Sequence, residues 1–401
     1  MRELITPALA QQRILAALQT QPSETCALEQ CAGRILRAPV LADRPFPPFD
    51  RSMMDGYAIR AAEIDGDGRF TIVTQAPAGA PAQQLGHQPR ACAEIMTGAV
   101  LPTDADCVVP YEQTRRIDST QMQVLEPTQH AAGDCIHGLA SDRPAGEALL
   151  TAGRRIGSRE IAIAASCGCE RLVVSKKPSI VIVSTGDELV DIVATPAAHQ
   201  IRRSNDIMME AALQHFDLPA AQFAHLPDNA AAPKAQLKAL IADHDIVILS
   251  GGISMGKKDF IPDALDALGL DCQFHGVAQK PGKPLGFWSQ PACAVFTLPG
   301  NPLSTLTCLH QYVIPALFHS LGQAAPTTPH TVRLDAGARA RDDLTIFLPV
   351  SLHANNIARP QPANNSGDLV RILQSDGYIE LPPCKEKSYP AGKSFDFHPW
   401  H

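Results

Sequence analysis

Several common sequence features are missing from this chain, and each absence argues against a class of function. No run of about 18 apolar residues occurs, which excludes an ordinary transmembrane helix. The first residues carry Glu3 and Arg13 in an amphipathic pattern and lack the apolar core of a signal peptide, so we expect a cytoplasmic protein. Aromatic residues make up 5% of the chain and the formal net charge is −7. Nucleic-acid binders normally show a basic excess and stacking aromatics, so we expect neither a nucleic acid nor a membrane as partner.

The cysteines and histidines lack the spacing of common metal motifs. Eleven cysteines are scattered along the chain with no CxxC pair, which is typical of thiols that stay reduced. Cys167 and Cys169 are the closest two, and we expect them to pack as small apolar side chains. No HxxxH or HxH pair occurs, so a zinc hydrolase is unsupported.

The length of 401 residues predicts two to four domains, because one hydrophobic core usually serves about 100 to 200 residues. Thr6 and Pro7 are typical of a helix start, with a capping hydroxyl before a proline. Short β-type runs then alternate with glycine, proline and aspartate turns, which indicates an inserted β module. The predicted division is a mixed N-terminal domain at 1–50 and 136–175, the β module at 51–135, a doubly wound α/β domain at 176–325 and a small C-terminal β domain at 326–401.

Three apolar runs in the second half of the chain predict strands of a parallel sheet. They are SIVIVS at 179–184, DIVILS at 245–250 and CAVFTL at 293–298, and helical stretches separate them. Apolar strands that alternate with helices are typical of a parallel sheet covered on both faces. Ligands of such sheets bind beyond the carboxyl ends of the strands. We therefore expect the binding site in the loops that follow, at Ser184, Thr185, Gly251, Gly252, Ser254, Gly300 and Asn301.

The loop at 251–258 has the glycine and lysine spacing of a phosphate-binding P-loop but lacks the hydroxyl residue. Lys258 stands where a P-loop needs Ser or Thr to hold Mg²⁺. The loop is either a glycine-permissive turn or a nest of backbone N–H groups that binds an anion. Asp259 follows at the expected mouth of the site, where an acid caps the next helix or binds a metal.

Two further loops offer positive groups to an anion. In KPGKP at 280–284, two prolines and a glycine restrict the backbone between Lys280 and Lys283. Repulsion between the two ammonium groups favours a bound anion, and a solvated rigid turn is the alternative. Asn301 and Pro302 resemble a helix N-cap and first helical residue, where N–H groups bind an oxyanion or are simply capped.

Carboxylates accompany these positive groups. The segment 184–188 combines hydroxyls with Asp187 and Glu188 after the first strand. Hard oxygen ligands beside lysines favour Mg²⁺ that bridges a phosphate to the protein. Asp228 is a further candidate ligand, and in isolation it reads as part of a loop.

Six phrases, taken together and in order, resemble the molybdopterin molybdenumtransferases, the MoeA-like proteins that include the E domain of gephyrin. The phrases are PPFDRSMMDGYAIR, IMTGAVLPTDADCVV, STGDEL, SGGISMGKKD, KPGKP and LPGNPLS, with a weaker NNSGDLVRILQSDGYIELP near the C-terminus. The resemblance implies an elongated homodimer of four-domain subunits whose α/β domain is similar to a molybdopterin-adenylating fold. It also implies a cleft lined by the α/β and C-terminal domains of one subunit and the β module of its partner.

The resemblance implies a reaction as well. The family inserts molybdate into adenylylated molybdopterin and releases AMP with the assistance of Mg²⁺. A molybdopterin adenylyltransferase or a recipient molybdoenzyme is then a further expected partner. Matching of the motifs residue by residue implies roles for individual side chains. The implied catalytic residues are Asp55, Thr97, Asp142, Glu188, Lys280 and Lys283. Pro281 and Ser366 are implied to contact the ligand, and Asp228 and Asp259 to bind Mg²⁺.

Some positions depart from the family pattern. Cys135 and His137 replace residues of the N-[IV]-R motif before Asp142, Arg202 and Arg203 replace a tyrosine and an aspartate, and Leu344 stands where an arginine is expected to meet molybdate. Two functions therefore remain, an active molybdenum insertase and a non-catalytic molybdopterin-binding carrier or scaffold of the same fold. The retained lysines and acids favour the first, and the missing arginine favours the second.

Overall fold

A computed structural model describes residues 3–227, 232–253, 260–323, 330–362 and 365–400. Three six-stranded sheets organise these ranges, one in the β module, one in the α/β domain and one in the C-terminal domain. Within the same ranges, no helix is long and apolar enough to cross a membrane.

The first helix, Pro7–Ala17, begins where the sequence predicts. The Thr6 hydroxyl accepts a hydrogen bond from the Leu9 amide at 3.3 Å, and the proline occupies the first turn. Ala10 and Ile14 are buried in the core of the α/β domain. The helix thus packs against residues distant in sequence.

Short strands join the chain before the β module to the chain after it. The antiparallel pairs are Ser23–Ala27 with Arg171–Ser175, Val40–Leu41 with Ala148–Leu150, and Arg51–Ser52 with Ile136–His137. The helix Ser158–Ser166 covers their core, in which Cys26, Cys31 and Cys167 are buried. The β module is therefore an insertion, and these cysteines pack as small apolar side chains.

The sheet of the β module has apolar side chains on both faces. Tyr57 and Val109 belong to one core, and Ala58 and Val108, one residue along each strand, belong to the other. Alternation along a strand sends successive side chains to opposite faces, so one sheet supports two cores. In spatial order the strands are Cys107–Pro110, Gly56–Ile59, Ala91–Ile95, Arg69–Ala76, Gln121–Val124 and Thr114–Arg116.

The α/β domain contains the three predicted strands side by side in one sheet. A fourth parallel strand, Ala221–Leu226, lies at the edge, and an antiparallel pair that the sequence analysis did not identify extends the other side. The spatial order is Ala221–Leu226, Ile180–Thr185, Ile246–Ser250, Cys293–Leu298, Gly286–Gln290 and Asp271–His275. The helices are Asn205–His215, Ala232–Asp243, Ile261–Ala267, Pro302–Cys308 and Ile314–Ser320, the last two joined by a π-helical turn at Leu309–Val313.

The C-terminal sheet includes a short strand from the α/β domain. Gln279–Lys280 pairs in parallel with the start of Thr345–His353, which also pairs with Gly377–Leu381. The lysine loop is therefore held at the junction of the two domains. The sheet consists of Gln279–Lys280, Thr345–His353, Ile357–Pro360, His330–Leu334, Ser394–Pro399 and Gly377–Leu381. Smaller elements are the strand pairs Ala338–Arg339 with Ser388–Tyr389 and Leu189–Val190 with Ile201–Arg202, and the helix Leu369–Ile372.

Candidate active site

A cleft of about 680 Å³ opens at the carboxyl ends of the parallel strands. The strands Ile180–Thr185, Ile246–Ser250 and Cys293–Leu298 each end at this cleft, and the C-terminal domain adds Gly367 and Leu369 to its wall. Parallel strands bring their following loops to one edge, which is where such sheets bind ligands. Seven predicted site residues line the cleft together, namely Ser184, Thr185, Glu188, Gly251, Gly252, Gly300 and Asn301.

The first two strand ends are in close contact. Gly251 has φ +97°, and a side-chain Cβ there would lie 2.7 Å from the Thr185 hydroxyl oxygen. Only glycine fits that approach and that backbone conformation. Ser184 is buried, and its hydroxyl lies 3.1 Å from Nδ1 of His225. The floor of the cleft is thus backbone and small hydroxyl side chains, which suits a polar ligand at close range.

Asn205 holds several strand-end loops together, a role that the sequence analysis did not assign. Its amide nitrogen lies 2.8 Å from the Gly300 carbonyl oxygen, 3.0 Å from the Ser250 hydroxyl and 3.2 Å from the Thr305 hydroxyl. These contacts tie the first residue of the helix Asn205–His215 to the two loops that follow. The only sequence signal is a serine and asparagine pair before a helix, which indicates a cap and not a clamp.

Asn301 joins the α/β domain to the C-terminal domain. It is the N-cap of the helix Pro302–Cys308, as predicted, but its side chain makes no capping hydrogen bond. Its amide nitrogen instead donates to the Ser366 hydroxyl at 2.7 Å, and the Leu303 amide donates to the Ser366 carbonyl at 3.1 Å. One N–H of this helix start is therefore occupied, and Ser366 is brought to the edge of the cleft.

The predicted lysine pair lies beside the cleft wall. Lys280 and Lys283 are exposed, whereas Pro281 and Gly282 between them are buried, and Pro284 lines the cleft. In the ranges that the structure covers, neither lysine forms an ion pair with a carboxylate. Both lysine side chains are therefore exposed to solvent beside the cleft wall.

The loop before the strand Thr345–His353 carries acidic charge near these lysines. Arg341 donates two hydrogen bonds to the Asp343 carboxylate, at 2.7 and 3.0 Å. These bonds and the charge of Arg341 lower the pKa of Asp343, and the charge of Lys283 contributes to the same shift. Leu344, where the resemblance leads us to expect an arginine, follows directly, and the neighbouring Arg341 is engaged by Asp343 of its own loop.

The two arginines at 202 and 203 have different surroundings. The Arg203 guanidinium lies 2.9 Å from Asp191 and 3.7 Å from the buried carboxylate of Asp206. Arg202 donates from Nε to the Ala194 carbonyl at 3.1 Å and lines the cleft. Arg203 also lines the cleft but is engaged by acids, whereas the hydrogen bond described for Arg202 uses its Nε and a backbone carbonyl.

The predicted site residues of the N-terminal half do not line this cleft. Asp55 accepts hydrogen bonds from Thr97 on the β module, and these bonds lower the pKa of its carboxyl group. Asp142 lies 2.9 Å from Nε2 of His137, whose Nδ1 lies 3.1 Å from an Arg51 guanidinium nitrogen. Among the described residues that line the cleft, none comes from this group.

The predicted Mg²⁺ ligands Asp228 and Asp259 lie outside the described residues, as does Ser254. In the rest of the chain, no group of three or more histidine, cysteine, aspartate or glutamate side chains is arranged to hold a metal ion. Glu188 and Asp206 are the carboxylates that the described cleft wall offers, and the second is paired with Arg203.

Comparisons with known proteins match this architecture from end to end. Residues 5–168 match the MoeA N-terminal region (domain I and II), residues 181–319 a probable molybdopterin binding domain, and residues 331–400 the MoeA C-terminal region (domain IV). The chain is 36% identical to a molybdopterin molybdenumtransferase of Synechocystis over 99% of its length and 100% of that protein, and 32% identical to one of Nostoc over 90% and 85%. It is similar to the crystal structure of a molybdopterin biosynthesis MoeA protein from Pyrococcus horikoshii, with TM-score 0.84, 26% identity and full coverage of both chains. The chain belongs to the MoeA family of molybdopterin molybdenumtransferases.

Proposed function

We propose that this protein inserts molybdate into adenylylated molybdopterin and releases AMP, the final metal insertion of molybdenum cofactor biosynthesis. The observation that carries the proposal is the cleft at the strand ends, where seven residues of the family motifs converge in a chain that matches the family over its full length. Its polar floor and the exposed lysines beside its wall suit a substrate that carries phosphates.

We assign different steps of binding and catalysis to different residues in and beside the cleft. The glycine backbone at 251–252 and the hydroxyl residues Ser184 and Thr185 line the cleft, and we assign them to substrate binding. Lys280 and Lys283 supply positive charge for the phosphate oxygens that gain negative charge when the phosphoanhydride breaks. Mg²⁺, when bound, neutralises further phosphate charge, and Asp228, Asp259 and Glu188 are the carboxylates proposed to hold it.

We also propose a homodimer in which the β module of one subunit completes the cleft of the other. Asp55 and Thr97 carry family motifs but lie outside the cleft of their own chain. Beside them, Met53 and Met54 are 56% and 41% exposed. Exposed methionines next to an ionised carboxylate are consistent with a surface that a second copy covers.

The proposed location is the cytoplasm. All eleven cysteines are free thiols in the structure, including those buried beside one another in the N-terminal domain. Such thiols are typical of a reducing compartment. A molybdopterin adenylyltransferase upstream and a molybdoenzyme downstream are the proposed transient partners.

Complementation separates an insertase from a carrier or scaffold. In a bacterial strain that lacks its own molybdenumtransferase, the parent protein should restore the activity of a molybdoenzyme such as nitrate reductase. Lys283→Ala should restore much less, with Lys177→Ala as the control for loss of an exposed lysine elsewhere. Equal expression of parent and variants without any rescue by the parent would favour the non-catalytic carrier.

A further inference from the structure

The lysine loop rests on a buried polar side chain that belongs to no family phrase noted above. Gln279 is 0% exposed. Its amide nitrogen lies 3.2 Å from the Pro281 carbonyl oxygen and 3.4 Å from that of Gly282, and its amide oxygen accepts a hydrogen bond from the Tyr312 hydroxyl. One buried side chain therefore binds both backbone carbonyls between the lysines.

The loop sits directly on this support. Gly282 has φ +92°, and a Cβ there would lie 2.5 Å from the Cys308 sulfur and 2.6 Å from the Gln279 amide nitrogen. Both Cys308 and Gln279 are fully buried, so neither can move aside without opening the core. This close packing fixes the distance between the core and the backbone that joins the two lysines.

Tyr312 anchors the support to the protein interior. It is 1% exposed and lies in the π-helical turn Leu309–Val313. Burial raises the pKa of Tyr312, so the hydroxyl stays protonated and remains a donor. The preceding residue, Gln311, accepts a hydrogen bond from the Tyr378 hydroxyl of the C-terminal sheet at 2.7 Å. The turn thus connects the lysine loop to both domains that form the cleft.

The buried support of the lysine loop is polar. A buried amide and a buried hydroxyl lose their hydration, and only well-made hydrogen bonds compensate for that loss. An apolar side chain of similar size would fill the same volume but would leave the Pro281 and Gly282 carbonyls without this donor. What the amide adds is direction, since it binds the two carbonyls that lie between the lysines.

We propose that Gln279, held in place by Tyr312, is a positioning residue that sets the placement of Lys280 and Lys283 around an anion. The inference rests on the proposed function, in that the lysines hold an oxyanion of the substrate. It predicts that removal of the hydrogen bonds weakens anion binding even where the protein stays folded.

The test measures the lysines directly and uses inorganic phosphate as the anion. Parent protein and variants are labelled with an amine-reactive ester below their unfolding temperatures, and peptide mass spectrometry follows Lys280 and Lys283 as phosphate is added. Gln279→Met keeps the length and removes the hydrogen bonds, and Tyr312→Phe removes one oxygen atom. The control is Thr307→Val, because the buried Thr307 hydroxyl donates to the Leu303 carbonyl of its own helix, at 2.8 Å.

Phosphate should slow the labelling of both lysines in the parent and in Thr307→Val. In Gln279→Met and Tyr312→Phe, the phosphate concentration for half protection should rise at least about fivefold. Protection equal to the parent in a folded Tyr312→Phe overturns the inference, and that variant decides if Gln279→Met does not fold. Absence of protection in the parent overturns the inference together with the anion role of the lysines. Failed complementation with intact protection contradicts the insertase function alone.

Discussion

The carboxylate of Asp55 accepts two hydrogen bonds from Thr97, one from the backbone N–H at 2.6 Å and one from the hydroxyl at 2.7 Å. Both bonds stabilise the ionised form, and they lower the pKa of Asp55 below that of an ordinary aspartate. The pair presents an oriented negative charge on the surface of the β module, at the place where we propose that a second subunit docks.

Replacement of Thr97 by valine should raise the pKa of Asp55, because the hydroxyl bond is lost and the backbone bond remains. A carboxyl group whose folded-state pKa is lowered contributes stability above its unfolded pKa, and this contribution is lost as the pH falls through the folded pKa. The stability difference between parent and Thr97→Val should therefore be present at neutral pH and vanish in acid. NMR titration of the Asp55 carboxyl measures the shift, and Thr97→Ser should keep the parent value. Coincident titration curves for parent and Thr97→Val would show that the hydroxyl bond does not form in solution.

Subunit mixing tests whether Asp55 acts on the partner's cleft. Asp55→Ala and Lys283→Ala should each be nearly inactive alone. In a hybrid dimer, one of the two clefts combines a wild-type β module with a wild-type lysine loop, so up to about half of the parent activity per dimer should return. Exchange is verified by native mass spectrometry. Demonstrated exchange with no recovery would place Asp55 and Lys283 in the same functional site of one chain.

The two adjacent arginines should respond differently to alanine. Arg202→Ala should weaken molybdate or phosphate binding about tenfold to hundredfold, since a charge-assisted hydrogen bond contributes roughly 1.5 to 3 kcal/mol. Arg203→Ala should mainly lower the free energy of unfolding, by about 1 to 3 kcal/mol, because Asp206 is left buried without its cation. Calorimetric anion titration and urea unfolding separate the two effects. The reverse pattern would mean that Arg203 leaves its acids to bind the ligand. In the same titration, Leu344→Arg shows how much a guanidinium at position 344 adds to anion affinity.

Asn205→Ala should separate the strand-end loops that form the cleft. The variant loses contacts to Ser250, Gly300 and Thr305, and a cost of about 1 to 3 kcal/mol is expected for the polar groups left unsatisfied. Substrate affinity should fall as well, because the loops lose their relative position. His215→Ala, at the far end of the same helix, is the control. Unchanged hydrogen exchange of the 250–253 and 300–305 backbone in Asn205→Ala would contradict the clamp.

Local sequence patterns predicted the elements of the α/β domain well, and contacts between distant residues could not be predicted from them. The runs that became Ile180–Thr185, Ile246–Ser250 and Cys293–Leu298 are apolar because helices cover both faces of the sheet. The edge strand Ala221–Leu226 has a half-exposed, mixed sequence, so no such run marks it.

The same distinction between local patterns and long-range contacts applies to the site residues. Glycines and hydroxyls at strand ends identified the cleft, since topology alone places those loops together. The bonds from Asn301 to Ser366 and from Tyr312 to Gln279 join residues 65 and 33 positions apart, and no short pattern records such pairs. Each depends on how the C-terminal sheet and the π-helical turn pack against the α/β domain.

The most direct measurement of the central claim is a defined reaction with purified protein, adenylylated molybdopterin, molybdate and Mg²⁺. AMP and molybdenum cofactor are quantified in the same samples, with molybdate or Mg²⁺ omitted in turn. An insertase should release AMP and form cofactor in equal amounts, and omission of either ion should suppress cofactor formation. If adenylylated molybdopterin binds and is recovered intact under the complete conditions, the protein is a carrier and the proposed reaction is wrong.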